Sequence, residues 1–114
     1  MAAPKVHAFQ EAYPNRISGI GQDPANKLAE FDDRFGLGFA SVADTEPYEI
    51  SNAYGIRVVP TLFLIGNGRT VLHSVESWDR DGFNAVSQRM ANLSDRPYRP
   101  ISQPEDGLPV FRPG

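Results

Sequence analysis

At 114 residues the chain suits one domain, long enough to bury about two thirds of its unfolded surface, and no second core is expected. A formal net charge of -3 with both signs mixed throughout leaves no basic stripe or acidic block, so neither nucleic acid nor a membrane surface is expected as a partner. The chain has no cysteine, which excludes disulfides, thiol nucleophiles and thiolate metal sites within these residues.

The first segment, residues 3–13, places Val6, Phe9 and Tyr13 at helical spacing. No Ser, Thr, Asp or Asn precedes Ala3, so this helix starts without a side-chain acceptor for its first N–H groups. Pro14-Asn15 ends it, and residues 16–21 read as a short strand carrying Ile17 and Ile20. Asp23 fits an N-cap, with Pro24 at the first helical position where its missing N–H costs nothing. Leu28, Phe31 and Phe35 form the stripe expected to be buried on that helix. Gly36 is a left-handed stop, and Leu37 is placed to fold back on the last turn.

Residues 39–43 are a weak strand, and Asp44-Thr45 offers a cap for a short helix through Tyr54 that Gly55 closes. Leu62 to Ile65 is apolar on successive residues, as in a central strand covered on both faces. Pro60 stands against it; lacking the N–H that a ladder needs, it must sit at the strand's first position or just before. Gly66-Asn67-Gly68 is a tight hairpin connection to a strand over residues 69–76. Trp78 before Asp79, with Phe83 beyond, has the spacing of a hydrophobic staple around an N-cap. Phe83, Val86, Met90 and Leu93 then line one face of the best amphipathic helix in the chain. The longest uninterrupted apolar run, Leu62 to Ile65, is far too short to cross a membrane, and the N-terminus has no basic segment followed by an apolar one, so the chain reads as soluble and cytoplasmic.

Residues 1–93 are thus expected as the domain and 94–114 as a C-terminal tail. Pro97, Pro100, Pro104, Pro109 and Pro113 deny the tail regular structure, while Tyr98, Ile101, Leu108, Val110 and Phe111 are too apolar for a linker and bring part of it onto the domain.

Several residues suggest chemistry and have plainer explanations. His7 and His73 lie far apart and lack a ligand pattern, and His73 alternates with Val71 and Val75 as a partly covered strand residue does. Asp32-Asp33 and Asp79 with Asp81 are explained by a solvated helix face and by a helix N-terminus that favours negative charge. Gly19-x-Gly21 lacks the rest of a dinucleotide turn, and no Ser-His-Asp arrangement has diagnostic local sequence. No metal site, cofactor or catalytic residue is assigned.

Tyr54-Gly55-Ile56 followed by Val59-Pro60-Thr61 and an apolar strand resembles the cis-proline loop of the thioredoxin-like superfamily. Residues 17–24 resemble the strand-to-helix turn of its redoxins. Phe31 to Phe39 resembles their F-x-x-x-F-G-L-x-F segment, and the hairpin with residues 78–93 resembles the closing strands and terminal helix. The resemblance spans residues 5–93 and is to the later part of a domain of the peroxiredoxin and membrane-anchored disulfide-reductase type. It implies an α/β fold with a mixed sheet flanked by helices, a cis Val59-Pro60 bond, and thiol-disulfide oxidoreductase or thiol-peroxidase (antioxidant) chemistry in cell redox homeostasis. By the same resemblance Val59, Pro60 and Thr61 are the substrate-binding residues, offering backbone groups to an extended peptide.

The family's first core strand and Cys-x-x-Cys turn have no counterpart here, so the expected fold is a truncated, N-terminally incomplete one. The uncapped first helix favours a fragment of a longer redoxin, redox-inactive by itself; the alternative is a non-catalytic module that binds peptide through the proline loop. Without the missing strand, residues 16–21 and 61–65 each keep an unpaired edge, and such edges invite self-association. Direct pairing of these two strands, or exchange between copies, is expected ahead of repair by residues 108–111, where Pro109 and Pro113 interrupt hydrogen bonding.

Overall fold

The computed structural model describes residues 3–14, 16–36, 38 and 41–113. It is a mixed α/β structure: α1 (Ala3–Ala12), β1 (Gly19–Gly21), α2 (Ala25–Phe35), β2 (Ser41–Ala43), α3 (Glu49–Ala53), β3 (Thr61–Ile65), β4 (Val71–Glu76), β5 (Trp78–Asp79), α4 (Arg80–Ser94) and β6 (Phe111–Arg112). Single 3-10 turns cover Asn67–Arg69 and Pro104–Asp106. The chain forms two compact units that divide after Arg57. This division falls inside the span read from the sequence as one domain, and residues 94–113 belong to the second unit.

In the first unit, Phe9 and Tyr13 of the α1 stripe are buried, their ring centroids 6.5 Å apart. β1 and β2 pair in parallel, Ile20 opposite Val42, and the Asp44 N–H extends the pairing to the Gly21 carbonyl. α2 packs tightly over β1: a Cβ at Gly21 would run into the Leu28 side chain. Packing, rather than a phosphate turn, accounts for that glycine.

Three local expectations for α2 are corrected. Pro24, not Asp23, holds the N-cap position; its carbonyl accepts from the Lys27 and Leu28 N–H groups, and no side chain caps this end. Phe31 is 46% exposed, so the stripe buries Leu28 and Phe35 only in part, and the Phe31 ring meets Phe35 at a tilt, centroids 4.7 Å apart, instead. Gly36 does stop the helix in the left-handed region (φ 66°), its N–H donating to the last-turn carbonyls. Asn15, the Schellman residue Leu37, and Phe39 and Ala40 of the weak strand lie outside the described residues.

In the second unit, β3 and β4 form an antiparallel hairpin from Thr61 opposite Glu76 to Ile65 opposite Val71. The register breaks after Leu64, leaving Leu72 as a bulge, and the Leu72 side chain lies over Gly66, where a Cβ would come within 2.8 Å of it. The strand after the hairpin therefore starts at Val71, the 3-10 turn having taken Asn67–Arg69. Leu64, Val75, Trp78, Phe83, Val86, Ala91 and Ile101 are the buried apolar side chains of this unit. The staple is present: Trp78 meets Phe83 edge-on at 4.8 Å, and the Asp79 carboxylate accepts from the Gly82 N–H at 3.2 Å. Leu93, expected on the buried face, is 66% exposed; Ala91 takes the buried place in the last turns.

The mixed sheet expected from the sequence is replaced, among the described residues, by three two-stranded sheets: β1-β2, β3-β4 and β5-β6. The expectation for the tail is also corrected, because Phe111–Arg112 pairs antiparallel with Trp78–Asp79. Proline loses its N–H and keeps its carbonyl, and the Pro109 carbonyl accepts from the Trp78 indole Nε1–H at 2.7 Å. The two prolines thus flank a short strand without interrupting the groups that it uses.

Candidate functional site

Val59, Pro60 and Thr61 form a corner at the head of β3. The Val59-Pro60 peptide is cis, as is Glu46-Pro47. Two bonds fix the corner. The Thr61 hydroxyl donates to the Val58 carbonyl at 2.7 Å, and the Ser77 N–H donates to the Pro60 carbonyl at 2.8 Å. Pro60 has no N–H, so its one backbone polar group is satisfied and the corner needs no further partner at that residue.

Ser77 is the residue that the sequence did not single out. It links β4 to β5, is buried, and has φ of 67°, a left-handed conformation that is uncommon for a residue with a Cβ. That turn carries its N–H toward Pro60 while its neighbours Glu76 and Trp78 continue their own strands. Nothing local in Glu76-Ser77-Trp78 signals a left-handed residue, since glycine is the usual marker.

Val59 is different. It is 68% exposed, and among the described residues neither its N–H nor its carbonyl has a hydrogen-bond partner. A clamped corner therefore presents one open peptide unit and an apolar side chain to the outside. Such a group can pair with an extended chain and offers nothing that could act as nucleophile, acid or base.

The remaining candidates lie on other elements. His7 on α1 sits 3.0 Å from Glu11, and its Nδ1 is buried without a partner among the described residues. His73 on β4 stands opposite Leu64 with its Nδ1 likewise unpartnered. Asp32 and Asp33 lie in the last turns of α2, and Asp79 and Asp81 at the start of α4. Among the described residues no three His, Cys, Asp or Glu side chains group as a metal site.

Two buried polar centres explain themselves as structure. Asp44 reaches forward to α3: Oδ2 accepts from the Ser51 hydroxyl at 2.6 Å and the Ser51 N–H at 2.7 Å, and Oδ1 accepts from the Ile50 N–H at 3.1 Å. The Ser51 hydroxyl and these backbone donors hold its carboxyl below the usual aspartate range, against the opposing effect of burial. Asp44 caps the helix as expected of it, but from five residues before Glu49, because Tyr48 takes the N-cap position in a left-handed conformation and has no side chain that caps.

Arg80 is the second centre. Its Nε donates to the Ser102 hydroxyl at 3.1 Å and one terminal nitrogen to the Leu108 carbonyl at 2.6 Å, with Asp106 at 3.7 Å. No helix of the described residues is long and apolar enough to cross a membrane. No protein-family model, curated protein or solved structure matches the chain.

Proposed function

We propose that this is a thioredoxin-like domain of the redoxin type whose Val59-Pro60-Thr61 corner holds an extended peptide. The observation that carries the reading is the contrast within three residues: Pro60 and Thr61 are tied down, and the exposed Val59 keeps both peptide groups open. An extended segment laid across the corner would exchange hydrogen bonds with Val59 in the manner of an added strand, and the Val59 side chain would contribute apolar contact. Order supplied in advance by the Ser77 and Thr61 bonds lowers the entropy lost on binding.

The thiol-disulfide and peroxidase chemistry of redoxins proceeds through a thiolate that attacks a disulfide or peroxide sulfur or oxygen. With no cysteine, these residues supply the docking surface of such chemistry and none of its electrons.

The test is a titration of the isotopically labelled full chain with carboxymethylated insulin B chain, an unfolded polypeptide with blocked thiols. Amide shifts should concentrate at Val59, Thr61, Glu76 and Ser77, and Val59→Asp should abolish them. Shifts that avoid these residues, or binding unaltered by Val59→Asp, would overturn the reading.

A further inference from the structure

The hairpin tip between β3 and β4 carries Asn67-Gly68, the one place in the chain where glycine follows asparagine. We propose that Asn67 is a site of spontaneous covalent modification, through attack of the Gly68 backbone nitrogen on the Asn67 side-chain amide. In this step the Gly68 nitrogen, having lost its proton to solvent base, forms a bond to Asn67 Cγ. The Cγ–Nδ2 bond breaks and ammonia leaves, closing a five-membered cyclic imide. Water then adds to either imide carbonyl, and the ring opens to an aspartyl or an isoaspartyl linkage at position 67. No oxidant or reductant is involved, and water is the sole co-reactant.

Both reacting groups are open. Asn67 and Gly68 are exposed, and among the described residues the Asn67 side chain makes no hydrogen bond. Gly68 is the second residue of a three-residue 3-10 turn, before the position from which intrahelical N–H bonds begin, so its N–H is not held by the turn. It has φ of 76°, and nothing lies within 4 Å of the place where a Cβ would stand, so the attacking nitrogen is unshielded.

The other candidates among the described residues each lack one of these conditions. Asn52 donates to the Pro47 carbonyl, Asn92 accepts from Gln88, and Asn84 makes three hydrogen bonds to Ile101 and Ser102. Asn26 is exposed, but the N–H of Lys27 after it is engaged by the Pro24 carbonyl. Aspartates followed by glycine react by the same ring closure, and both are held. The Gly82 N–H after Asp81 is bonded to Asp79, and the Asp106 carboxylate accepts from Ser102, Gln103 and Leu108.

The product adds negative charge to a chain already at -3. An isoaspartyl linkage also routes the main chain through the Cβ, lengthening a turn that the Gly66 N–H closes onto the Thr70 carbonyl at 2.8 Å. Pairing should then loosen from the tip, beginning at Ile65 opposite Val71. The Val59 corner lies at the far end of β3, about 17 Å away along five strand residues, and keeps its own bonds.

The experiment incubates the folded full chain in mildly alkaline buffer and follows it by site-resolved peptide mass mapping. Methyl transfer from labelled S-adenosylmethionine by a protein isoaspartate methyltransferase reports the isoaspartyl product. Mass gain and methyl acceptance should appear first at the peptide carrying position 67. Asn67→Ser should lose both, and Asn26→Ser should keep both at the wild-type rate. The proposal is overturned if the wild-type chain gains mass at Asn26, Asn52, Asn84 or Asn92 as fast as at Asn67, or if Asn67→Ser still accepts methyl groups. The wild-type map decides the matter without any variant.

Discussion

Asp44 ties the end of β2 to α3 through a single carboxylate with three donors. Its pKa is lowered in the folded chain, chiefly by the Ser51 hydroxyl, so its stabilising effect is fully present above the ordinary aspartate value of about 3.9 and disappears as pH falls through the lower folded value. Asp44→Asn keeps one acceptor and turns an amide donor toward Ser51, which already offers a hydroxyl and an N–H. The variant should be less stable than wild type at neutral pH; the gap should start to narrow only below about pH 4 and close once the pH lies below the lowered folded value, where the wild-type carboxylate is protonated as well. Urea unfolding at neutral and at strongly acid pH checks this; a gap that is unchanged across the range would show that the carboxylate charge is not what matters. Ser77 gives a prediction of opposite sign. A residue with a Cβ in the left-handed region costs roughly 1–2 kcal/mol relative to glycine, so Ser77→Gly should keep the bond to Pro60 and match or exceed wild-type stability. Ser77→Val, β-branched at positive φ, should lower the melting temperature, and its amide shifts should change at Pro60's neighbours Val59 and Thr61.

The element that holds the second unit together is the segment after α4. Arg80, Asn84 and Ser87 stand at i, i+4 and i+7 on α4 and bind main-chain or hydroxyl groups of that segment: Arg80 the Ser102 hydroxyl and Leu108 carbonyl, Asn84 the Ile101 and Ser102 backbone, Ser87 the Arg99 carbonyl. Asn84→Ala would leave two N–H groups and one carbonyl without partners in a partly buried seam, at a cost of about 1–3 kcal/mol. Trp78 is the one tryptophan and donates to Pro109, so its emission should shift to the red as the segment loosens in that variant. Asn92→Ala, which loses only an exposed bond to Gln88, should leave both emission and stability unchanged. Equal effects of the two substitutions would show that the seam does not hold the segment. This element also marks where reading the sequence stops. The glycine stops at Gly36 and Gly55, the Trp78–Phe83 staple and the Asp79 cap were legible because each is decided by residues within one or two turns. The seam was not, because a polar stripe on a helix has the same pattern whether it faces water or a chain segment 12 to 28 residues away. Likewise the prolines of the tail signal only the N–H groups they remove, while the seam uses carbonyls of Arg99, Ser102 and Leu108 and the N–H groups of the non-proline residues Ile101 and Ser102. The proline corner was legible as a corner, but its fastening by Ser77 depends on a left-handed serine that no local signal announces.

Across the whole molecule the decisive fact is compositional. Each unit is built on buried aromatic residues, Phe9 with Tyr13 in one and Trp78 with Phe83 in the other, and neither uses sulfur cross-links. Stability should therefore be indifferent to thiol reagents, and melting curves with and without dithiothreitol should coincide. The same fact bounds the chemistry. Catalytic turnover of a peroxide by a redoxin needs a sulfur that is oxidised and then returned by a thiol, and methionine is not returned without a separate reductase. The chain has two methionines and no cysteine, so added hydrogen peroxide should be consumed to at most about two equivalents per chain, with the matching mass gain, and then stop. Dithiol-dependent insulin reduction should equal the buffer control for the same reason. Continued peroxide consumption by a metal-free preparation, beyond what its methionines can absorb, would mean that the docking role proposed for the Val59 corner is joined by a chemistry carried by other side chains, and the Nδ1 atoms of His7 and His73, unpartnered among the described residues, would be the first to substitute.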